Sequence, residues 1–487
     1  MLQFRPVSRQ KLGPKLTETS PPAPDKVVLV KNPKAVFGTL TPSQNPDDPA
    51  PYDASISGIV LKGNRVDNLL RGEEVYERNI HQTVDATDLV VLPGLINTHH
   101  HFYQNLTRNL DSAVGKGLFP WLRTLYPIWA ELTPQDIEIA ASTAIAELLL
   151  SGCTTTTDHH YVFNTDCQHA IDLEIQIAEQ LGIRMVATRG SMSLGESAGG
   201  LPPDALVEAD ARILAESERL ISRWHDPNPL AMVQVALAPC SPFSVSRALM
   251  LDTQRLAEQH NVLLHTHLAE TEDETQFCLD QYGCRPIEFL DQCGWLHKRA
   301  WFAHGIHFDR QEIELLGRQG CGVTHCPNSN MILGSGICPT DQLLQAGVKV
   351  ALGVDGSASN NHSNLVQEIR QAYLLQRLSG SALTHFDALK LATSGGASVL
   401  DRPELGHLRP GAAADLALFK VDDLRFLGSQ DPITALVTSG AHTAHHVMVN
   451  GQWRVKGGEI LGLDLQKLKR THRERSESLW ARAGLSA

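Results

Sequence analysis

The segment PGLINTHHHFYQ sets His99 and His101 two residues apart. On a strand such a pair points to one side, while His100 points to the other. Two imidazoles at the end of an apolar run make half of a metal site. Solvated histidines at a polar strand end would read the same way, so the pair needs company. Other short apolar runs supply it. VLLHTHLAET carries His265, His267 and Glu270, AWFAHGIH carries His304, CGVTHCPNSN carries His325, and VKVALGVDGSASNN carries Asp355. His99, His101, His267 and Asp355 together offer three nitrogens and one oxygen. That set suits one Zn²⁺ per chain, with Fe²⁺ as the alternative, and leaves a position for water. A core histidine explains any one of these positions. It explains poorly an imidazole or carboxylate at the ends of five runs.

These residues need elements that bring strand ends together. From Pro93 to about Pro403, short apolar runs alternate with amphipathic stretches such as SRALMLDTQRLAEQH. Such alternation predicts a parallel α/β fold, and its length suits a (β/α)8 barrel of the TIM type. Barrel active sites form where strand C-termini converge, so the five run ends would face one another. Strand-like pieces also occupy 27–92 and return after Gly406. Both flanks are short, so we expect them to pair into one small composite β-sandwich domain. The expected division is an N-terminal arm over 1–26, the composite β domain over 27–92 and 404–487, and the catalytic barrel over 93–403. The last stretch, LQKLKRTHRERSESLWARAG, predicts a charged terminal helix with a solvated face rather than a nucleic-acid contact.

Composition excludes several other classes. The chain has 487 residues, 42% of them hydrophobic, with 42 basic and 54 acidic residues and a formal charge of −12. It is too apolar for a disordered chain and too acidic for a bulk basic nucleic-acid surface. No run of about 18 apolar residues predicts a membrane span. Nine cysteines in so long a chain fit reduced thiols rather than a disulfide framework. The expectation is a cytoplasmic protein with neither a nucleic-acid nor a membrane partner.

The ordered motifs, PG-xxxx-HxH after a β-rich start, HxxE, AHG, HCPxSN and GVDG, resemble the amidohydrolase superfamily. They are most similar to its branch of metal-dependent aminohydrolases acting on purines, pyrimidines and triazines. The resemblance covers about Val27 to Leu461. It implies metal ligation by His99, His101, His267 and Asp355. It also implies that His304 stands beside the metal water and that Glu270 shuttles protons, while His265 is not carried over. Asp355 would accept the proton of the attacking water. A small heterocyclic substrate and a homo-oligomer are implied as partners. An amide hydrolase with a dinuclear site would want a carboxylated lysine, yet MVQVALAPC ends the expected strand four without one. A barrel that has lost catalysis need not keep all six residues.

The substrate pocket is read from fewer residues. Adenosine-type members carry a glutamate shortly before a Trp-Leu pair, whereas here Phe119 and Pro120 precede Trp121. They carry a histidine in an APHSPY-like segment, whereas APCSPF puts Cys240 there. The ribose-binding set is thus missing, which favours a free base or small heterocycle. Candidate contacts are Gln104 to a ring carbonyl, Trp121 stacking on a flat base, Arg189 to a carbonyl or ring anion, and Cys240 lining the wall. Each has a structural alternative: a polar loop start, a buried aromatic cap, an ion pair positioning loops, and a small buried hydrophobe. His100 and His325 are expected to hold strands or loops.

Overall fold

The structure, a computed structural model, describes residues 23–39 and 52–485. Most of the N-terminal arm expected over 1–26 lies outside the described residues. Eight strands form the central sheet. They are β1 (Leu95–Asn97), β2 (Cys153–His160), β3 (Arg184–Ser191), β4 (Val233–Pro239), β5 (Leu264–Leu268), β6 (Ala300–His304), β7 (Gly322–His325) and β8 (Lys349–Leu352). Each pairs in parallel with the next in chain order.

The ends of the sheet then meet. Thr98 donates its N–H to the Leu352 carbonyl at 3.1 Å, and the Thr98 and Thr324 hydroxyls lie 2.7 Å apart. Just beyond, His100–His101 pairs in parallel with Asp355–Gly356. This short ladder ties the first strand to the last at the C-terminal mouth. Strands such as β2 and β3 are buried along their whole length, because the barrel interior covers one face and helices the other. Ile96, Val186, Ala236, Trp301 and Ala351 pack together in one core cluster contributed by five strands.

The flanks build two further sheets. Val27–Lys31, Ile56–Lys62, Arg65–Arg71 and Gln82–Asp85 form the first. The second joins Leu89–Pro93 from the N-terminal flank to Leu416–Lys420 from the C-terminal flank, antiparallel, with Val91 opposite Leu418. Val28, Val30, Ile59 and Leu61 meet Leu416, Leu418 and Met448 between the sheets. The sandwich is therefore composite.

Two helices follow β1: α1 (Leu118–Trp129) and α2 (Pro134–Leu150). The terminal helix, Leu465–Arg482, keeps the expected solvated face through Lys469, Arg470, Arg473, Glu474 and Glu477, and packs its other face on α2. Asp136 is fully buried in the first turn of α2, where it also completes a capping box with Thr133. Arg475 reaches it at 2.7 Å, and Arg482 makes a second contact. Trp480 donates its indole N–H to the Leu106 carbonyl at 3.0 Å. A buried carboxylate demands such partners, so these arginines are structural. The nine cysteines are all buried and free, as expected of reduced thiols. Among the described residues no helix is long and apolar enough to cross a membrane.

Candidate active site

Barrel closure brings the histidine pair of the first strand beside the carboxylate of the last. The Asp355 N–H donates to the His99 carbonyl at 3.0 Å, fixing the register. Asp355 Oδ1 then lies 3.3 Å from Nε2 of both His99 and His101. His101 Nε2 lies 3.1 Å from His267 Nε2 on β5. Ligand atoms about 2 Å from a shared Zn²⁺ stand about this far from one another.

Hydrogen bonding decides which ring nitrogens are free. His101 Nδ1 bonds the His159 carbonyl at 2.7 Å, and His267 Nδ1 bonds the Cys240 carbonyl at 2.6 Å. A carbonyl only accepts, so both Nδ1 atoms carry hydrogen and both Nε2 lone pairs face inward. His99 reaches the same state through another histidine. His265 Nδ1 donates to the Trp301 carbonyl at 2.9 Å, leaving His265 Nε2 to accept from His99 Nδ1 at 2.8 Å. His99 Nε2 is buried without a hydrogen-bond partner among the described residues. Burial pushes the His99 and His267 imidazoles down, the latter to about 3, so both stay neutral as metal ligation requires. Three imidazole lone pairs and a carboxylate converging on one point fit a divalent cation.

Asp355 and His304 are held in unusual backbone geometry. Their φ angles are 60° and 76°, in the left-handed region that non-glycine residues rarely occupy. Such strain persists where the surroundings over-determine it, commonly at functional sites. Burial alone would raise the Asp355 carboxyl, but His101 and His99 beside it hold it well below the usual carboxylate range. Ser329 donates to its Oδ2 at 2.6 Å. The Asn330 amide donates to His304 Nδ1 at 3.0 Å, which leaves His304 Nε2–H pointing at Glu270 (3.4 Å) and Asp355 (3.9 Å). Glu270 is pushed well above the usual carboxylate range, first by burial and then by the charges of Asp355 and Glu274. It therefore stays a carboxylic acid, with a proton to give.

A cavity opens over these groups. Gln104, Trp121, Cys240, His267, Glu270, His304 and Asp355 all line it. Arg189 does not. Its guanidinium bonds Glu208 at 2.9 Å and lies 4.2 Å over the Phe163 ring, so the loop-positioning ion pair is its observed state. His100 turns away to Ser363 Oγ at 2.9 Å, as its strand position requires. The His325 imidazole is buried with no hydrogen-bond partner among the described residues, so it does not hold the loop through its ring.

The sequence reading missed several residues. His265 acts through His99, and its i, i+2 spacing to His267 was the available signal. Tyr126 and Tyr161 line the cavity, and only the helical spacing of 118, 122 and 126 hinted at the former. A buried cluster of Asp158, His160 and Glu174 stands close by. His160 Nε2 donates to the Val162 carbonyl, so its Nδ1, 2.8 Å from Glu174, can only accept. Burial pushes His160 down to about 4 and Glu174 up to about 8. The bridge there is a carboxylic-acid proton, and its spacing is shorter than those around His101.

The amidohydrolase family model matches residues 90–454. The chain belongs to the amidohydrolase family. A relative from Pseudomonas aeruginosa, 8-oxoguanine deaminase, is 51% identical over 93% of this chain and 99% of its own. Hydroxydechloroatrazine ethylaminohydrolase from a Pseudomonas species is 37% identical over 85% of this chain and 91% of its own. An atrazine chlorohydrolase from Arthrobacter aurescens TC1, solved with zinc, is 31% identical and superposes with a TM-score of 0.85, covering 93% of this chain and 99% of that one. As an amidohydrolase the chain is a hydrolase acting on C–N bonds, and its His and Asp donor set could hold a divalent metal.

Proposed function

We propose that this amidohydrolase deaminates a free oxidised purine, converting 8-oxoguanine and water to urate and ammonia. One observation carries the reading: half of the residues are shared with a deaminase of that substrate along nearly its whole length. The pocket supports it, since Phe119, Pro120 and Cys240 stand where nucleoside-directed members place ribose-binding groups.

The side chains divide the chemistry between them. A divalent metal held by His99, His101, His267 and Asp355, which we propose is zinc, supplies a water whose pKa is lowered towards ~7. Asp355 Oδ2, steadied by Ser329, takes the proton of the attacking water. His304 Nε2–H donates to the oxygen that joins the ring carbon. Glu270 gives its proton to the ring nitrogen beside the amino-bearing carbon, so the ring accepts the electron pair as the new C–O bond forms. Asp355 then returns its proton to the amine. The C–N bond breaks, ammonia leaves, and the carbonyl forms as the remaining O–H proton of the adduct passes to the Glu270 carboxylate, which restores the acid. Acid–base help of this kind is worth ~10²–10⁴ in rate.

Release of ammonia, or of the alkylamine from an N-alkylated hydroxytriazine, tests the reading, measured on 8-oxoguanine, guanine, isocytosine, the hydroxytriazine and an adenosine compound. We expect 8-oxoguanine to turn over fastest. Isocytosine, which shares the amino-amidine edge, should follow. Faster turnover of guanine or the hydroxytriazine would reassign the chain to a guanine deaminase or a hydroxytriazine N-alkylaminohydrolase of the same branch. Release from none would leave a non-deaminating amidohydrolase or an inactive metal-binding barrel.

A further inference from the structure

His159 stands against the metal ligands without yet having a part among them. It lies on β2, fully buried, and its ring crosses the barrel interior to β4, where Nε2 lies 2.8 Å from the Ala238 carbonyl. A carbonyl only accepts, so Nε2 carries a hydrogen. Burial, with the neighbouring His267, His265 and His101, pushes the imidazole down, so the ring holds that one proton and no more. Nδ1 is then a lone pair, and it has no hydrogen-bond partner among the described residues. A buried acceptor left unpaired is costly and asks what it faces.

The position of the ring identifies it. The rings of His99, His101 and His267 stand 4.8, 4.9 and 5.2 Å apart, centre to centre. The His159 ring stands 4.8 Å from His267, 5.3 Å from His101 and 5.9 Å from His99. It takes the fourth corner of a rough tetrahedron of imidazoles. Ligand atoms of all four lie within 4.8 Å of one another. Donors opposed across one ion, each about 2.1 Å from it, stand about 4.2 Å apart, so a small inward movement lets one ion reach all four. The two other imidazoles close by are committed elsewhere. His265 Nδ1 donates to the Trp301 carbonyl and its Nε2 accepts from His99. His304 Nδ1 accepts from Asn330, and its Nε2–H points at Glu270. Of these three rings, only His159 keeps a lone pair unengaged.

We propose that His159 is a further ligand of the metal centre, giving its Nδ1 to the ion held by His99, His101, His267 and Asp355. The inference rests on the metal reading of the site and deepens it. The Ala238 carbonyl fixes the proton of His159 on Nε2, as the His159 and Cys240 carbonyls fix those of His101 and His267 on Nδ1. The same device thus turns a different nitrogen towards the centre, and a supporting bond of this kind is what orients a ligating imidazole. A fourth nitrogen raises the number of protein donors above the four that a tetrahedral ion takes. The site then favours a divalent ion that accepts a larger donor set.

The test is His159→Gln. Its amide nitrogen takes the place of Nε2 and keeps the bond to the Ala238 carbonyl, while no donor stands in the place of Nδ1. Both proteins are stripped of metal and loaded with Co²⁺, whose visible absorption weakens as donors are added to the ion. We expect weak bands from the unmodified protein and bands severalfold stronger from the variant. Superimposable spectra overturn the proposal. X-ray absorption at the zinc edge, on the unmodified protein loaded with Zn²⁺, gives a second readout that does not depend on the variant folding. Four imidazoles around the ion support the proposal, and three overturn it. If the unmodified protein retains neither Co²⁺ nor Zn²⁺, the metal reading itself fails and takes this inference with it. If it retains them and His159 is not among the ligands, only the inference fails.

Discussion

His265 Nε2 lies 2.8 Å from His99 Nδ1, and this bond selects the tautomer in which His99 offers Nε2 to a metal. The Trp301 carbonyl fixes His265 in turn. The chain carbonyl–imidazole–imidazole does for His99 what single carbonyls do for His101 and His267. Supporting bonds of this kind typically govern affinity by ~10–100-fold. His265→Phe keeps a flat ring against Trp301, which stacks at 4.3 Å, but drops the acceptor. Competition with a chromophoric chelator should show zinc affinity falling by about that factor. Unchanged affinity would reduce His265 to a packing role.

Glu270 should separate metal binding from turnover. Glu270→Gln keeps the shape and removes the transferable proton. Metal content should stay near one per chain while kcat falls by ~10²–10⁴. Full activity in this variant would remove Glu270 from the mechanism.

Gly356 controls where Gln104 stands. A Cβ there would lie 1.8 Å from Gln104 Oε1, and the flexible amide must yield rather than the backbone. Gly356→Ala should fold, bind metal normally and lose about tenfold in kcat/KM, the value of one substrate hydrogen bond. Chelator titration and kinetics on the same sample check both halves. A loss of metal instead would mean that the change reached Asp355.

Glu174 gives a pH signature in stability. Its carboxyl is raised from 4.5 to about 8 in the fold, chiefly by burial. Below about 4.5 it is protonated whether folded or unfolded, and its contribution is fully present. As pH rises towards about 8 the unfolded chain releases the proton while the fold retains it, so stability falls. Glu174→Gln cannot titrate. The Tm of the unmodified protein should therefore decline relative to the variant between about pH 4.5 and 8. Parallel curves across that window would place the proton elsewhere.

Much of this was legible in the sequence because metal chemistry constrains residue type and strand position together. His99, His101, His267 and Asp355 were found by type and by their place at run ends, and the barrel followed from the alternation that surrounds them. What the sequence hid was partnership. Arg189 reads as a substrate contact or a loop-positioning ion pair, and only the sight of Glu208, nineteen residues on, decides for the pair. Tyr126 reads as one more apolar helical position until its place in the cavity wall is seen to leave its hydroxyl without a hydrogen-bond partner among the described residues. The arginines of the terminal helix read as solvated charge because their partner, Asp136, is hundreds of residues away. Partners distant along the chain leave no local pattern.

That separation has a consequence for what holds the catalytic mouth. Arg475 follows its buried carboxylate by 339 residues, and Arg482 by 346. The first turn of α2 thus joins its local capping box to cations supplied by the terminal helix, from more than three hundred residues along the chain. The same helix holds the turn bearing Gln104, through Trp480 and Leu106. The terminal helix therefore braces the catalytic mouth from outside the barrel, and a substitution that undocks it should loosen the turn bearing Gln104.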